Sequence, residues 1–238
     1  MASENRVAEL NWQAVGARID GGAVALLPVG AGAKEHGLHL PMATDLIQAE
    51  WLAVELARRV DALVWPALAY GHYPAFTDYP GSISLSAETF RTLAREIMAG
   101  ILAHGPGSLL VINTGISTIA PLERAIADLA TDRVRLANVY SGTHYLAAVR
   151  EIGEQPCGGH ADELETSILL AITPEKVRMP LARPCLNPGL EHGRFIRSDP
   201  GHAQYSPDGV YGDPTRASRE KGEILLRAIL EDLLAGHQ

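Results

Sequence analysis

The chain has 238 residues, of which 47% are hydrophobic and 20% charged, enough for one large domain with a sizeable core. Its formal net charge of −8 gives no general attraction to nucleic acid or to an anionic membrane surface. The sequence has no apolar run of about 20 residues, and its first residues do not resemble a signal peptide. Two cysteines are too few for a disulfide framework and suit the cytoplasm, so we expect a cytoplasmic protein. From the length we expect one domain over residues 1–238, and from the charge and hydropathy neither nucleic acid nor membrane as a partner.

Short apolar runs alternate with longer amphipathic runs along the chain. Runs rich in Val, Leu and Ile predict buried strands at 23–29, 62–66, 108–113 and 134–140. Apolar residues at helical spacing predict helices at 45–60, 87–103, 119–131 and 218–235. Ser86 is expected to cap the second of these helices. The alternation predicts an α/β fold, a single-domain three-layer α/β/α arrangement with a mostly parallel central sheet.

The loops at one edge of this sheet are the expected place for a functional site. Sites in parallel sheets lie beyond the carboxyl ends of the strands. We therefore expect loops 30–44, 67–85 and 114–118 to lie close together. Residues 180–217 are rich in Pro, Gly and polar side chains, and we expect a long, ordered, irregular segment that covers the site or a neighbouring subunit.

The loop after the first predicted strand carries side chains that are typical of a metal site. It reads KEHGLHLPMATD, and Glu35, His36, His39 and Asp45 fall within eleven residues of one another. Carboxylate oxygen and imidazole nitrogen suit zinc, manganese or iron. The alternatives are a polar loop with two surface histidines and, for Asp45, a purely capping role at the start of the next helix.

A second polar segment, GGHADELETS, places one imidazole beside three carboxylates. Its ionisable residues are His160, Asp162, Glu163 and Glu165. So dense a group needs a cation or a hydrogen-bond network to organise it. If a helix begins near Ala161, the first two acids lie in its first turn, where the helix dipole favours them, and the histidine projects from the preceding loop. The alternative is a capped and solvated helix start.

Three weaker signals suggest groups that contact a substrate. The turn YPGSIS offers the hydroxyl groups of Tyr79 and Ser82 to a small molecule. The loop after the third predicted strand offers Asn113 and Thr114, which suit a carbonyl or an oxyanion better than a metal. His72 follows the second predicted strand. In each case the alternative is a purely structural residue.

Taken in order, these segments resemble the creatininase family of metal-dependent cyclic amidohydrolases. The family motif His-Gly-x-His-Leu-Pro-x-x-Thr-Asp is matched from His36 to Asp45. Residues 79–83 are similar to its Phe-Pro-Gly-Thr-Ile segment, and residues 160–167 are similar to its His-Ala-Gly-x-x-Glu-Thr-Ser segment. The first of these three matches is the specific one.

The resemblance implies a fold, a cofactor and a reaction. The family fold is a compact α/β domain with a parallel sheet, and its members are commonly homohexamers. One or two divalent ions, zinc, manganese or iron, would activate a water that attacks an amide carbon. By position, His36 resembles a metal ligand, Asp45 the carboxylate that bridges two ions, and His160 the proton donor to the leaving nitrogen.

Lys34 departs from the family pattern in the first motif. It replaces the family glutamate that lies two residues before His36. Glu35 stands one place away, and the loop after Val29 is one residue longer than usual. We expect a one-residue bulge to bring Glu35 into the ligand role.

Two further departures weaken the implied pair of metal positions. Gly115 stands where the family has a ligand histidine, and the dipeptide Ala75-Phe76 replaces a Glu-His pair. Glycine has no side chain that binds metal. Because carboxylates are gained nearby, we expect Asp162 or Glu163 to supply the missing ligand.

The leading interpretation is a hydrolase, a metal-dependent amidohydrolase that cleaves a C–N bond, not a peptide bond, of a small amide, cyclic or open. His160 and Glu163 are its expected catalytic residues. One alternative is a non-catalytic, metal-poor member that serves as a binding or assembly protein, which Gly115 favours. Another is a mononuclear lyase or isomerase with Glu163 as its base. A homo-oligomer is expected in each case from the family resemblance.

Overall fold

A four-stranded parallel sheet forms the centre of the molecule. The computed structural model describes residues 5–191 and 193–237. In spatial order the strands are β2, β1, β3 and β4, and every neighbouring pair is parallel. In chain order they are β1 (Val24–Val29), β2 (Ala62–Val64), β3 (Leu109–Asn113) and β4 (Val134–Asn138). The predicted parallel α/β fold is therefore confirmed.

Seven α-helices within the described residues connect and cover the strands. They are α1 (Trp12–Asp20), α2 (Thr44–Ala57), α3 (Ala87–Ala103), α4 (Ile119–Asp128), α5 (Thr143–Ile152), α6 (Glu163–Ile172) and α7 (Arg219–His237). The four predicted helices correspond to α2, α3, α4 and α7. The predicted cap of α3 is also confirmed, since Ser86 Oγ accepts a hydrogen bond from the Thr89 backbone N–H at 3.1 Å.

Helices pack on both faces of the sheet because successive strand residues point to opposite sides. Leu26 of β1 lies in a buried cluster with side chains of α2, α6 and α7. The next residue, Leu27, lies in a second cluster with Phe90 and Met98 of α3 and Leu122 of α4. The two clusters on either side of one strand establish the three layers that the sequence predicted.

Proline shapes the sheet at two places near its β2 edge. The predicted strand 62–66 ends at Val64, two residues before Pro66, which has no N–H to donate to a ladder. Pro28 lies inside β1, where alternate N–H groups face β2: the Val24 N–H donates to the Asp61 carbonyl. The missing N–H of Pro28 therefore faces the side of β1 where β2 has already ended.

Residues 180–191 and 193–217 belong to a long irregular segment that packs over the carboxyl end of the sheet. Isolated bridges hold it, joining Cys185 to Gly212 and Tyr211 to His160. Its apolar side chains Leu190 and Phe195 pack in one buried cluster with residues of the loop after β2. Of the two expectations for this segment, covering the site or covering a neighbouring subunit, its packing against the loop after β2 supports the first.

Candidate metal centre

The loop after β1 folds back so that His36 meets the first turn of α2. Thr44 and Asp45 begin α2, and His36 Nε2 lies 2.9 Å from Asp45 Oδ1, with both side chains fully buried. The N-cap of α2 is Ala43, and no side chain caps it. The capping alternative for Asp45 is therefore wrong, and this carboxylate faces the loop instead.

The second oxygen of Asp45 is held by Lys34. The Lys34 ammonium lies 2.7 Å from Asp45 Oδ2 and 4.9 Å from the centre of the Phe76 ring. Burial alone would raise the pKa of Asp45, but the charge of Lys34 and the interaction with His36 outweigh burial and hold it well below its usual value. Asp45 is therefore ionised, and Lys34 is part of the site.

The second polar segment meets the first across the sheet edge. His160 Nε2 lies 3.0 Å from the Glu35 carbonyl oxygen and 3.1 Å from Glu35 Oε2. Its other nitrogen, Nδ1, lies 3.8 Å from Glu165 Oε2. The Glu165 carboxylate also accepts a hydrogen bond from the Ala161 backbone N–H at 2.6 Å. The side chains of His36 and His160 stack beside each other, with ring centres 4.8 Å apart.

Three side chains in this cluster form a group that could hold a metal ion. His36, His160 and Glu165 are all buried, and each offers one ligand atom within 4.8 Å of the other two. The sequence predicted His36 as a metal ligand and His160 as a catalytic residue, and the structure brings their side chains together. Glu165 had no predicted role, although the pattern Asp162-x-x-Glu165 resembles a capping box, in which the fourth residue turns back toward the loop.

The hydrogen bonds of the two histidines leave lone pairs that face carboxylates. A carbonyl only accepts, so His36 Nδ1 donates to the Lys34 carbonyl at 3.0 Å and His160 Nε2 donates to Glu35. In neutral rings this leaves His36 Nε2 opposite Asp45 and His160 Nδ1 opposite Glu165. Acceptors that face each other in a buried site need a cation or a shared proton between them.

The electrostatics of the cluster favour neutral imidazoles. Burial, followed by the charge of Lys34, lowers the pKa of His36 to about 4, and the same two causes lower that of His160 well below its usual value. Burial raises the pKa of Glu165 to about 8 and that of Glu35 to about 7. Neutral imidazole is the form that binds a metal, and a nearby cation would favour the ionised carboxylates.

The residues present fit one divalent ion. Two imidazoles and one carboxylate are a common donor set for zinc, manganese and iron. Both histidines also have the supporting contact that metal-bound histidines usually make, an N–H donated to a carbonyl or a carboxylate. A second ion at Asp45 does not fit, because Lys34 occupies Oδ2 and Gly115 offers no ligand.

The structure places Asp162 and Glu163 outside the group of donors. Asp162 is the N-cap of α6, and its carboxylate accepts from the Leu164 and Glu165 N–H groups at 2.9 and 3.0 Å. Glu163 faces Lys221, whose ammonium lies 2.5 Å from it. Helix capping and this ion pair explain both acids, so the expected ligand role of Asp162 and catalytic role of Glu163 gain no support.

Glu35 lies beside the donors and not among them. Its carboxylate accepts from the Gly37 N–H and from His160, and its backbone N–H donates to Ser82 Oγ at 2.9 Å. The predicted ligand is therefore a partner that orients His160. Ser82, predicted to contact a substrate, instead positions Glu35.

Of the residues predicted to contact a substrate, Thr114 lies at a cavity, and its hydroxyl donates to the Asp45 carbonyl at 3.0 Å. The other side chains make structural hydrogen bonds. Tyr79 donates to the Ser206 carbonyl, Asn113 bonds within the loop that follows β3, and His72 bonds the Leu85 carbonyl. Each of these contacts is the structural alternative that the sequence left open.

A cavity of about 970 Å³ opens beside the donors. Lys34, His160 and Glu165 line its polar end. Its walls are largely apolar and include Phe76, Tyr145, Leu146, Leu190 and Phe195. The sequence did not single out these wall residues, because apolar side chains of a cavity and of a core look alike in a pattern. Cavities of this size and lining are typical of small-molecule sites.

Comparison with known proteins now identifies the family. A model of the creatininase family, described as creatinine amidohydrolase, matches residues 8–236. The chain belongs to the creatininase family. The creatinine amidohydrolase of Pseudomonas putida is 26% identical to it over 247 residues, covering 95% of this chain and 94% of that protein. The mycofactocin precursor peptide peptidase of Mycobacterium ulcerans is 29% identical over 88% of this chain and 82% of that protein.

Both relatives are hydrolases, and this chain is a creatininase-family amidohydrolase. A crystal structure of creatinine amidohydrolase has the same fold, with a TM-score of 0.79 at 24% identity over 98% of this chain and 96% of that one. Among similar structures, one is named creatininase Mn and another is a mutant creatininase of Zn-Zn type.

Within the described ranges 5–191 and 193–237, no helix is both long and apolar enough to cross a membrane.

Proposed function

We propose that this protein is a metal-dependent amidohydrolase that cleaves the C–N bond of a small amide, cyclic or open, with water. The observation that carries the proposal is the convergence of His36, His160 and Glu165, the last two of which line the polar end of the cavity. The ligand atoms of the two histidines face the carboxyl groups of Asp45 and Glu165. Zinc and manganese, followed by iron, suit this donor set.

The roles of the side chains follow from their contacts. A divalent ion bound here would supply an activated water and polarise the amide carbonyl. His36 is oriented by the Lys34 carbonyl, and His160 by Glu35. In this arrangement His160 acts as a ligand through Nδ1, because its Nε2 proton is already donated. The earlier expectation of His160 as proton donor to the leaving nitrogen is the competing role.

The cavity supports a substrate with an apolar part. Phe76, Leu190 and Phe195 line one stretch of its wall, so a ring or a short aliphatic group would be removed from water there. The amide itself would lie at the polar end, beside Lys34 and Glu165. The peptidase name of one relative makes a short peptide the substrate to test against cyclic amides.

Metal content and hydrolysis of purified protein test the proposal. We expect zinc or manganese to bind and to support hydrolysis of at least one compound in a panel of cyclic and open amides. His36→Ala and Glu165→Gln should lose both the ion and the activity. Matched controls are His144→Ala, a histidine paired with Asp232, and Glu154→Gln, a carboxylate paired with Lys221, both outside the cluster.

Two results would overturn the proposal. One is binding of the ion at wild-type affinity by both His36→Ala and Glu165→Gln. The other is failure of the wild-type chain to bind zinc or manganese at micromolar concentration, which would favour the metal-poor binding or assembly protein. The contacts of Glu163 with Lys221 and with two backbone N–H groups give the lyase alternative no support.

A further inference from the structure

We propose that the Lys34 ammonium is a built-in second cation of this site, so that the centre holds one divalent ion and not two. The inference deepens the proposed function, since it assumes that an ion binds at His36, His160 and Glu165. It concerns what stands beside that ion. The structures similar to this chain include a mutant creatininase of Zn-Zn type. The number of ions that this chain binds must therefore be argued from its own residues.

The two oxygens of Asp45 are divided between two partners. Oδ1 faces Nε2 of the donor histidine His36 at 2.9 Å. Oδ2 faces Lys34 Nζ at 2.7 Å, and the Lys34 side chain is only 7% exposed. The carboxylate that the family resemblance implies as a bridge between two ions instead contacts one donor histidine and one ammonium group.

The space around Lys34 is filled by groups that suit an ammonium and not a metal. The rings of Phe76 and Tyr73 lie with their centres 4.9 and 5.6 Å from Nζ, and aromatic faces attract ammonium ions. A side chain at Gly115 has no room, since an added Cβ would lie 2.6 Å from Thr118 Oγ1 and 3.4 Å from Tyr73 Cε1. Position 115 therefore offers no ligand for a second ion.

The charges of the cluster balance with a single ion. Glu35, Asp45 and Glu165 are the carboxylates that contact the two histidines or Lys34. When all three are ionised, one divalent ion and one ammonium match their charge. A second divalent ion would leave excess positive charge in a buried site, which is unfavourable without further ligands.

The position of Lys34 also gives it a part in substrate binding. It lines the cavity together with His160 and Glu165, so its side chain borders the space where the amide would lie. A fixed positive charge at that place stabilises the oxygen that becomes negative when water attacks a carbonyl. Lys34 is thus a catalytic residue that supplies the electrostatic contribution of a second metal without the ion.

The first test counts ions in the wild-type chain. The protein is freed of metal with a chelator and then titrated separately with Zn²⁺ and with Mn²⁺ in a calorimeter, and the product is weighed by native mass spectrometry. We expect one ion per chain with each metal. Two tightly bound ions per chain would overturn the inference.

The second test removes the charge of Lys34. Lys34→Met should bind the single ion at least about tenfold more tightly, because a cation no longer repels it, while hydrolysis at saturating metal falls by about a hundredfold in kcat. Lys34→Arg keeps the charge and should keep the weaker metal binding. Unchanged metal affinity in Lys34→Met would show that Lys34 has only a structural role and would overturn the inference.

A matched control separates charge from folding. Lys221→Met also removes a lysine that is paired with a buried carboxylate, Glu163, but this pair is not part of the donor cluster. It should lose stability and leave metal affinity unchanged. If Lys34→Met does not fold, the number of ions bound by the wild-type chain still tests whether the site holds one divalent ion or two. If no ion binds at all, the proposed function fails, which differs from the finding of two ions.

Discussion

Glu35 is a single residue whose effect on the site can be isolated. Its carboxylate accepts the His160 Nε2–H bond and does not belong to the donor group. We expect Glu35→Gln to keep one ion per chain and to weaken metal binding by about 10- to 100-fold, because the neutral amide orients and polarises the histidine less well. Calorimetric titration with Zn²⁺ measures this change.

The control for this prediction is Glu88→Gln, a change at an exposed glutamate on α3. It should leave the metal affinity as in the wild type. A Glu35→Gln protein that loses the ion entirely would instead place Glu35 among the ligands, as the sequence first suggested.

At this scale the sequence predicted part of the site and misjudged the rest for identifiable reasons. His36 and Asp45 belong to a specific motif, and their contact needs only a loop that folds back. Lys34 was counted as a missing ligand, because sequence alone does not show that its ammonium reaches Asp45. The sequence predicts Asp162 and not Glu165 as a metal ligand, because sequence alone does not show which of two acids at a helix start becomes the cap.

At the scale of elements, Asp162 belongs to α6 as its cap. Asp162→Ala should lower the free energy of unfolding by about 1–2 kcal/mol, because two backbone N–H groups lose their acceptor. Metal content should stay at the wild-type level. Thermal denaturation and elemental analysis give the two readouts, and Asp162→Asn, which can still cap, is the control. Loss of the ion in Asp162→Ala would restore Asp162 as the missing ligand.

The contact between α6 and α7 depends on a glycine. A Cβ added to Gly222 would lie 1.9 Å from the Ser167 carbonyl oxygen of α6. Gly222→Ala should therefore destabilise the fold by about 2 kcal/mol or more, since backbone must move. Gly100 is the matched helical control, because nothing lies within 4 Å of its added Cβ. Gly100→Ala should stabilise by about 0.5–1 kcal/mol, and equal effects in urea denaturation would contradict the prediction.

Asp232 of α7 caps the start of α5 from outside that helix. It accepts the N–H groups of His144 and Tyr145 at 3.0 and 2.9 Å. Burial would raise the pKa of Asp232, but these hydrogen bonds outweigh it and lower the value. A lowered pKa means that the ionised form stabilises the fold, so the contribution is present above pH about 4 and is lost as the pH falls below it.

We therefore expect Asp232→Ala to cost about 1 kcal/mol at pH 7 and much less at pH about 3. Urea denaturation of both proteins at several pH values measures the difference. A cost that stays constant down to low pH would show that the ionised carboxylate is not what stabilises the start of α5.

The elements themselves were largely predictable. All four strands and the helices α2, α3, α4 and α7 follow from apolar runs and helical spacing, with ends shifted by a few residues. Helices α1 and α5 were not among the predicted helices. They bury few residues, Ile19 in α1 and Tyr145 and Ala148 in α5.

At the scale of the whole molecule, the site joins parts of the chain that are far apart in sequence. The donors come from the loop after β1 and from residues 160–165, and Tyr211 of the irregular segment bridges to His160. A bound ion should stabilise the fold by about 2.7 kcal/mol at a concentration one hundred times its Kd. We expect EDTA to lower Tm by several degrees and added Zn²⁺ to restore it.

The Glu165→Gln variant serves as the reference for this experiment, since it should show almost no change of Tm with EDTA. A wild-type Tm that changes neither with chelator nor with added metal would contradict a metal site that joins these parts of the chain. The expected homo-oligomer stays a prediction, and light scattering of the purified protein tests it.

The irregular segment has a consequence for how activities could be exchanged between relatives. Leu190 and Phe195 form part of the cavity wall, yet they belong to no strand or long helix. Replacing such a segment alters the shape offered to a substrate at little cost to the sheet. A chimera that carries residues 187–206 of a relative should acquire that relative's preference for a leaving group while keeping its own metal and its own Lys34.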